Sequence, residues 1–130
     1  MRTGEQAIDW MVHQIDHPSQ PTWAHLCQSS VRQALGLPAW AASAKIAHSK
    51  TPKKELHHTA VEDVPPGAIC YGLLNTVSAH AWLAGHNGHG FSVDYLRKGR
   101  IDRVPLALPH WTHDQKVLWT LWTPYGHIKP

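Results

Sequence analysis

Three side chains in this sequence could together perform nucleophilic and acid–base chemistry: a thiol at Cys27, an imidazole at His80 and a carboxylate at Asp94. Cys27 lies in "HLCQSSVRQALGLP" (25–38), where Val31, Ala34 and Leu35 follow it at helical spacing and Gly36 and Pro38 supply a stop. A thiol in the first turn of a helix meets the positive end of the backbone dipole, which favours thiolate. The same residue also fits a small buried hydrophobe, the usual fate of a free cysteine. A cysteine nucleophile needs a base within hydrogen-bond reach, and the base needs a third group to fix its tautomer.

His80 heads the strand-like run "HAWLAG", and Asp94 follows one hairpin later in "FSVDY". Alternation puts His80, Trp82 and Ala84 on one face of the first run, and Ser92 with Asp94 on one face of the second. Asp102, in "RIDR", is the rival carboxylate. It falls beyond a further turn at "RKG", so it would sit two strands from the base, about 10 Å away, too far to hold an imidazole directly. Trp23, just upstream of Cys27, and Trp82, on the His80 face, are candidate walls of a substrate groove.

Twelve histidines and seven tryptophans are the unusual counts. The pairs His86/His89 and His110/His113 invite a zinc reading, but "HNGHG" reads as a hairpin tip and nothing orders the four into one tetrahedron. A thiol mechanism needs neither metal nor organic cofactor. Cys70, within "GAICYG", reads as a buried strand residue. Trp40, Trp111, Trp119 and Trp122 read as core, and Met11 belongs to the apolar stripe of the first helix.

These residues are carried by helices first and strands afterwards. Segment 4–15 repeats Ala7, Ile8, Met11, Val12 and Ile15 as one helical stripe, and the Cys27 helix follows. A third helical stretch spans "PAWAASAKIAH" (38–48), with Pro38 suited to its first turn. Residues 49–66 read as a long polar connection. From 67 onwards "GAICYGLL", "HAWLAG", "GFSVDYLR" and "RIDRVPLAL" are short β-rich runs punctuated by Gly, Asn and Pro, and "KVLWTLWTPYG" supplies a last strand. The expected class is α+β: N-terminal helices packed on an antiparallel β-meander.

The chain has 130 residues, 42% of them hydrophobic and 16% charged, which suits one globular domain over 1–130. Two cysteines give no disulfide framework. No apolar run is long enough for a membrane span, and no membrane insertion is expected. The start, "MRTGEQAIDWMVHQI", is amphipathic rather than a secretory signal. A net charge of +3 gives mild attraction to polyanions, yet the basic residues are scattered and no nucleic-acid module is present.

"LCQSSVRQALGLP", "PPGAICYG", "SAHAWLAG" and "FSVDYLRKGRIDRVPL" with an aromatic tail resemble the papain-like cysteine peptidases and amidases of bacterial cell walls. These are the CHAP and NlpC-type domains, many of them from actinobacteria and their phages. The resemblance spans roughly residues 23–125 and implies Cys27 as nucleophile, His80 as base and Asp94 as orienter, on a papain-like fold. It departs from the family pattern at Ala79, where glycine is usual, and the third position varies within these families. The implied substrate is peptidoglycan, cut in its stem peptide or at the muramoyl–alanine amide. An endolysin-like enzyme is implied, a monomer, held in the host cytoplasm until lysis or carried by a virion. A non-catalytic wall-binding module on the same fold is the alternative from another class, and a zinc hydrolase using the histidine pairs is the third.

Overall fold

The computed structural model describes residues 1–74 and 78–130. Helix α1 (Gly4–Asp16) starts at a capping box: Thr3 Oγ1 accepts from the Gln6 N–H, and Gln6 Oε1 accepts from the Thr3 N–H. Its stripe buries Ala7, Ile8 and Met11. Helix α2 (Cys27–Ala34) has Cys27 as its first residue, and Gly36, at φ 68°, turns the chain out of it. Helix α3 (Ala44–Lys50) is shorter than expected and does not begin at Pro38; Ser43 caps it, its Oγ accepting from the Ile46 N–H. A short polar side chain that can accept from the first turn outweighed the proline's fixed φ.

Six strands, β1 (His57–Ala60), β2 (Ile69–Leu73), β3 (Ala79–Ala84), β4 (His89–Val93), β5 (Ile101–Pro105) and β6 (Lys116–Thr120), form one antiparallel sheet in the order β1-β6-β2-β3-β4-β5. Strands β7 (Trp122–Thr123) and β8 (Gly126–His127) pair separately. The expected meander is β2 to β5. Strand β6 returns beside β2 and recruits β1 out of the segment read as a connection, where "HHTA" has no apolar alternation to betray it. The "HNGHG" hairpin tip forms as expected, with Asn87 at φ 56° and Gly88 at φ 75°. The protein is therefore mixed α+β.

Both faces of the sheet are covered. Ile69, Tyr71, Ala81, Leu83, Phe91 and Val93 pack under the helices with Met11, Trp23, Val31 and Leu35. The alternate residues Cys70, Trp82 and Ala84 pack on the other face with Val104, Leu106, Leu108, Val117 and Trp119. The chain after β5 folds back over that second face, which explains the near-continuous apolar character of β2 and β3. Among the described residues no helix is long and apolar enough to cross a membrane.

Candidate functional site

At the end of the sheet where β3 begins and β4 ends, a cavity of about 560 Å³ opens beside the first turn of α2. Cys27, Gln28, His80, Asp94, Lys98 and Trp111 are among its lining residues. The sequence-predicted thiol, imidazole and carboxylate thus reach one cavity, although their mutual contacts differ from those expected.

The cavity exists because β3 and β4 part. Their ladder holds only Leu83 opposite Phe91 and Ala84 opposite Gly90. Continued, that register would set His80 against Asp94. Instead the ladder stops, and Asp94 leaves the strand path at φ 60°. Its carboxylate turns to the main chain: Oδ2 accepts from the His25 N–H at 2.7 Å and Oδ1 from the Gly99 N–H at 2.6 Å. Asp94 therefore ties the loop before Cys27 to the β4–β5 connection and is not hydrogen-bonded to the imidazole. The partner of the imidazole is Ser92, whose Oγ lies 2.7 Å from His80 Nε2.

The Ser92 hydroxyl also reaches the Val93 carbonyl at 3.0 Å. When its single proton is donated there, the hydroxyl accepts at the imidazole, and in that arrangement Nε2 carries hydrogen and Nδ1 of the neutral ring carries the lone pair. Burial draws His80 down to about 4, with the Asp94 carboxylate opposing the shift, so the neutral form prevails at pH 7. Asp102 stands apart on β5, where Arg97 grips it through two bonds of 3.0 and 2.6 Å.

Alternation along β3 also explains where the thiol sits. Ala84 donates its N–H towards the β2 side, to Ala68, and Gly85 donates towards β4, to His89. The Ala81 N–H accordingly faces the β4 side, beyond the end of that ladder. There, one residue from His80 in the chain, it favours the thiolate form of Cys27. Burial pushes the Cys27 thiol up, and the main-chain N–H groups of Ala81, Gln28 and Cys27 itself pull the other way; the Asp94 carboxylate adds to the rise. The helix-start effect expected from the sequence is present but loses to desolvation. Thiol and imidazole, both lining the cavity, each rest neutral.

The two tryptophans expected to wall the groove do not. Trp23 is fully buried, edge-on to Trp10 at 5.8 Å, in the core under the helices. Trp82 shares the His80 face, but that face is itself a core; the indole is fully buried and donates to the Leu106 carbonyl at 3.1 Å. Trp111, expected in the core, lines the cavity instead, stacked on His80 at 5.2 Å. No spacing in the sequence pointed to it. Ser92 was legible only as a neighbour of Asp94 on one strand face.

Cys70 is fully buried in β2 with its thiol pushed up by desolvation. His86 pairs with Glu5 on α1 at 2.6 Å, and His110 stands edge-on to Trp111. Among the described residues no three or more His, Cys, Asp or Glu side chains group to hold a metal ion.

A thiol on a helix start, an imidazole lining the same cavity, and the main-chain N–H groups of a helix start are the kinds of group that acyl transfer through a thioester requires. No protein-family model, curated protein or solved structure matches this chain.

Proposed function

We propose that this protein is a papain-like thiol hydrolase of peptide or amide bonds, acting on bacterial peptidoglycan in the manner of an endolysin. The observation that carries the chemistry is the shared cavity, lined by both Cys27 and His80, with His80 held at Nε2 by Ser92. The choice of peptidoglycan rests on the sequence resemblance alone.

His80 Nδ1 takes the thiol proton as the Cys27 sulfur attacks the substrate carbonyl. The oxyanion forms near the first main-chain N–H groups of α2, where Leu26 supplies no side-chain cap to compete for them. The C–N bond then breaks, and the imidazolium returns its proton to the leaving amine. Water attacks the thioester with His80 again as base, releasing a carboxylic acid and restoring the thiol. Ser92 holds the ring through both half-reactions, and Asp94 keeps His25 and the start of α2 in place.

Purified peptidoglycan should be digested with the wild-type protein and with Cys27→Ala, and the fragments weighed. New amine and carboxyl ends with the wild type alone are expected. Equal digestion by both would overturn the assignment, and their masses identify the bond cut.

A further inference from the structure

The indole of Trp111 lies nearly parallel to the His80 ring, at 5.2 Å and 19°, and Trp82 lies near it at 6.0 Å and 27°. Three features of the chain hold Trp111 in that position. Its main-chain N–H donates to the carbonyl of buried Leu108 at 3.1 Å, and the hydroxyl of the next residue, Thr112, donates to the same carbonyl at 3.0 Å. His110 accepts a left-handed φ of 76°, a conformation costly for a residue with a Cβ unless its surroundings impose it. Gly72, opposite His80 on β2, leaves the space that Trp111 fills. A Cβ there would stand 2.6 Å from Trp111 Cβ and 2.9 Å from its carbonyl oxygen. Main chain as well as side chain would have to move.

We propose that Trp111 is a positioning residue for His80, seated by Gly72, whose stacked indole fixes the plane of the imidazole and keeps water from its face. An imidazole held by one hydrogen bond at Nε2 can still rock about that bond. A flat partner on its face removes the freedom and keeps Nδ1 in one direction. The titratable groups around the ring are Cys27 on α2, Asp94 after β4, His25, Tyr95 and Lys98 along the cavity, and His110 beside Trp111. None of these is itself substituted in a change at Trp111 or Gly72, and only His110 is in ring contact with Trp111.

Two opposing effects follow from removing the indole. The aromatic face attracts an imidazolium, so its loss would lower the His80 pKa. Its loss also admits water, which raises it, and burial is the leading cause of the shift seen here. The net expectation is upward.

The test is the titration of His80 by NMR in wild type, Trp111→Ala, Trp111→Phe and Gly72→Ala, with the resonance assigned from its loss in His80→Asn. Trp111→Ala should raise the His80 midpoint by about one pH unit. Gly72→Ala, acting from another strand, should move it the same way, and Trp111→Phe should stay near wild type. Turnover of peptidoglycan should fall tenfold to a hundredfold in the first two, on the order expected for a misaligned base, and recover in the third. An unmoved midpoint in folded Trp111→Ala, or opposite shifts in Trp111→Ala and Gly72→Ala, would overturn the proposal. Trp111→Leu carries the same test should the alanine variant not fold. The kinetic arm rests on the proposed function, whereas the titration does not. A wild type that leaves peptidoglycan intact therefore refutes that function and still lets the titration decide the role of Trp111.

Discussion

Removing the Ser92 hydroxyl should weaken turnover far more than it weakens the fold. In the resting protein the bond between His80 Nε2 and Ser92 Oγ, 2.7 Å long, joins two neutral groups, and such a bond contributes about 1 kcal/mol. In the proposed mechanism His80 takes the thiol proton, and the same bond then becomes charge-assisted, worth roughly 1.5–3 kcal/mol. Only the increment lowers the barrier, about 0.5–2 kcal/mol, which corresponds to roughly two- to thirtyfold in kcat/KM. Ser92→Ala also frees the ring to carry its hydrogen on Nδ1, the tautomer that cannot accept the thiol proton, so the loss should sit at the upper end. Ser92→Thr keeps the hydroxyl and should retain most of the rate. Peptidoglycan turnover measures the first effect, and the ¹⁵N shifts of the His80 ring report the tautomer directly. Full turnover in Ser92→Ala, or a wild-type ring protonated at Nδ1 alone, would refute the assignment of Ser92 as orienter.

Iodoacetamide should label Cys27 and spare fully buried Cys70, as peptide mass mapping would show; labelling should be slow for a catalytic thiol, because burial holds Cys27 largely protonated. Asp94→Ala removes the acceptor of two main-chain N–H groups and should cost about 2 kcal/mol in urea unfolding, with Asp94→Asn recovering only part because its amide offers one oxygen. Asp102→Ala breaks its pair with exposed Arg97 and should lower the urea midpoint only slightly, with turnover nearly intact. The unfolded chain protonates His80 near 6.5 and the native one only near 4, so protons bind the unfolded state preferentially between those values. His80 should therefore withdraw stability as pH falls from about 6.5 to 4, by at most about 3 kcal/mol, and urea midpoints should fall less steeply over that window in His80→Phe.

The α+β order and the meander were legible because they rest on local signals: a 3.6-residue stripe in α1, stop residues after α2, and an Asn-Gly hairpin tip. Strand β1 was not legible, since its pairing with β6 joins residues some sixty positions apart and its own sequence is polar. The start of α3 was misplaced because the Ser43 cap and Pro38 are both acceptable beginnings locally, and tertiary packing chose between them. Cys27 and His80 could be found because each sits at the end of an element, where sequence punctuation is strongest. The expected contact between His80 and Asp94 assumed that a strand register continues to the last residue. The ladder ends two pairs after the hairpin, and the resulting gap is what admits Ser92 to the imidazole and makes room for the cavity. Trp82 was misjudged for a related reason: alternation identifies its face correctly, but cannot say whether another part of the chain covers that face.

The same burial that organises the site also opposes its resting ionisation. Desolvation raises the Cys27 thiol and lowers the His80 imidazole, so each disfavours the thiolate–imidazolium pair in the free protein. The main-chain N–H groups of Ala81, Gln28 and Cys27 act in the opposite direction at the sulfur, and the Asp94 carboxylate does so at the ring. Asp94 cannot serve both partners, because its charge favours an imidazolium but disfavours a thiolate. Its two main-chain bonds spread that charge over the His25 and Gly99 amides and moderate both effects. Ser92, a neutral acceptor, can steady the imidazolium without repelling the thiolate. Where burial is the leading influence on both groups, that difference favours a hydroxyl over a carboxylate beside Nε2 and leaves the aspartate its place after β4, bonded to the loop that precedes Cys27.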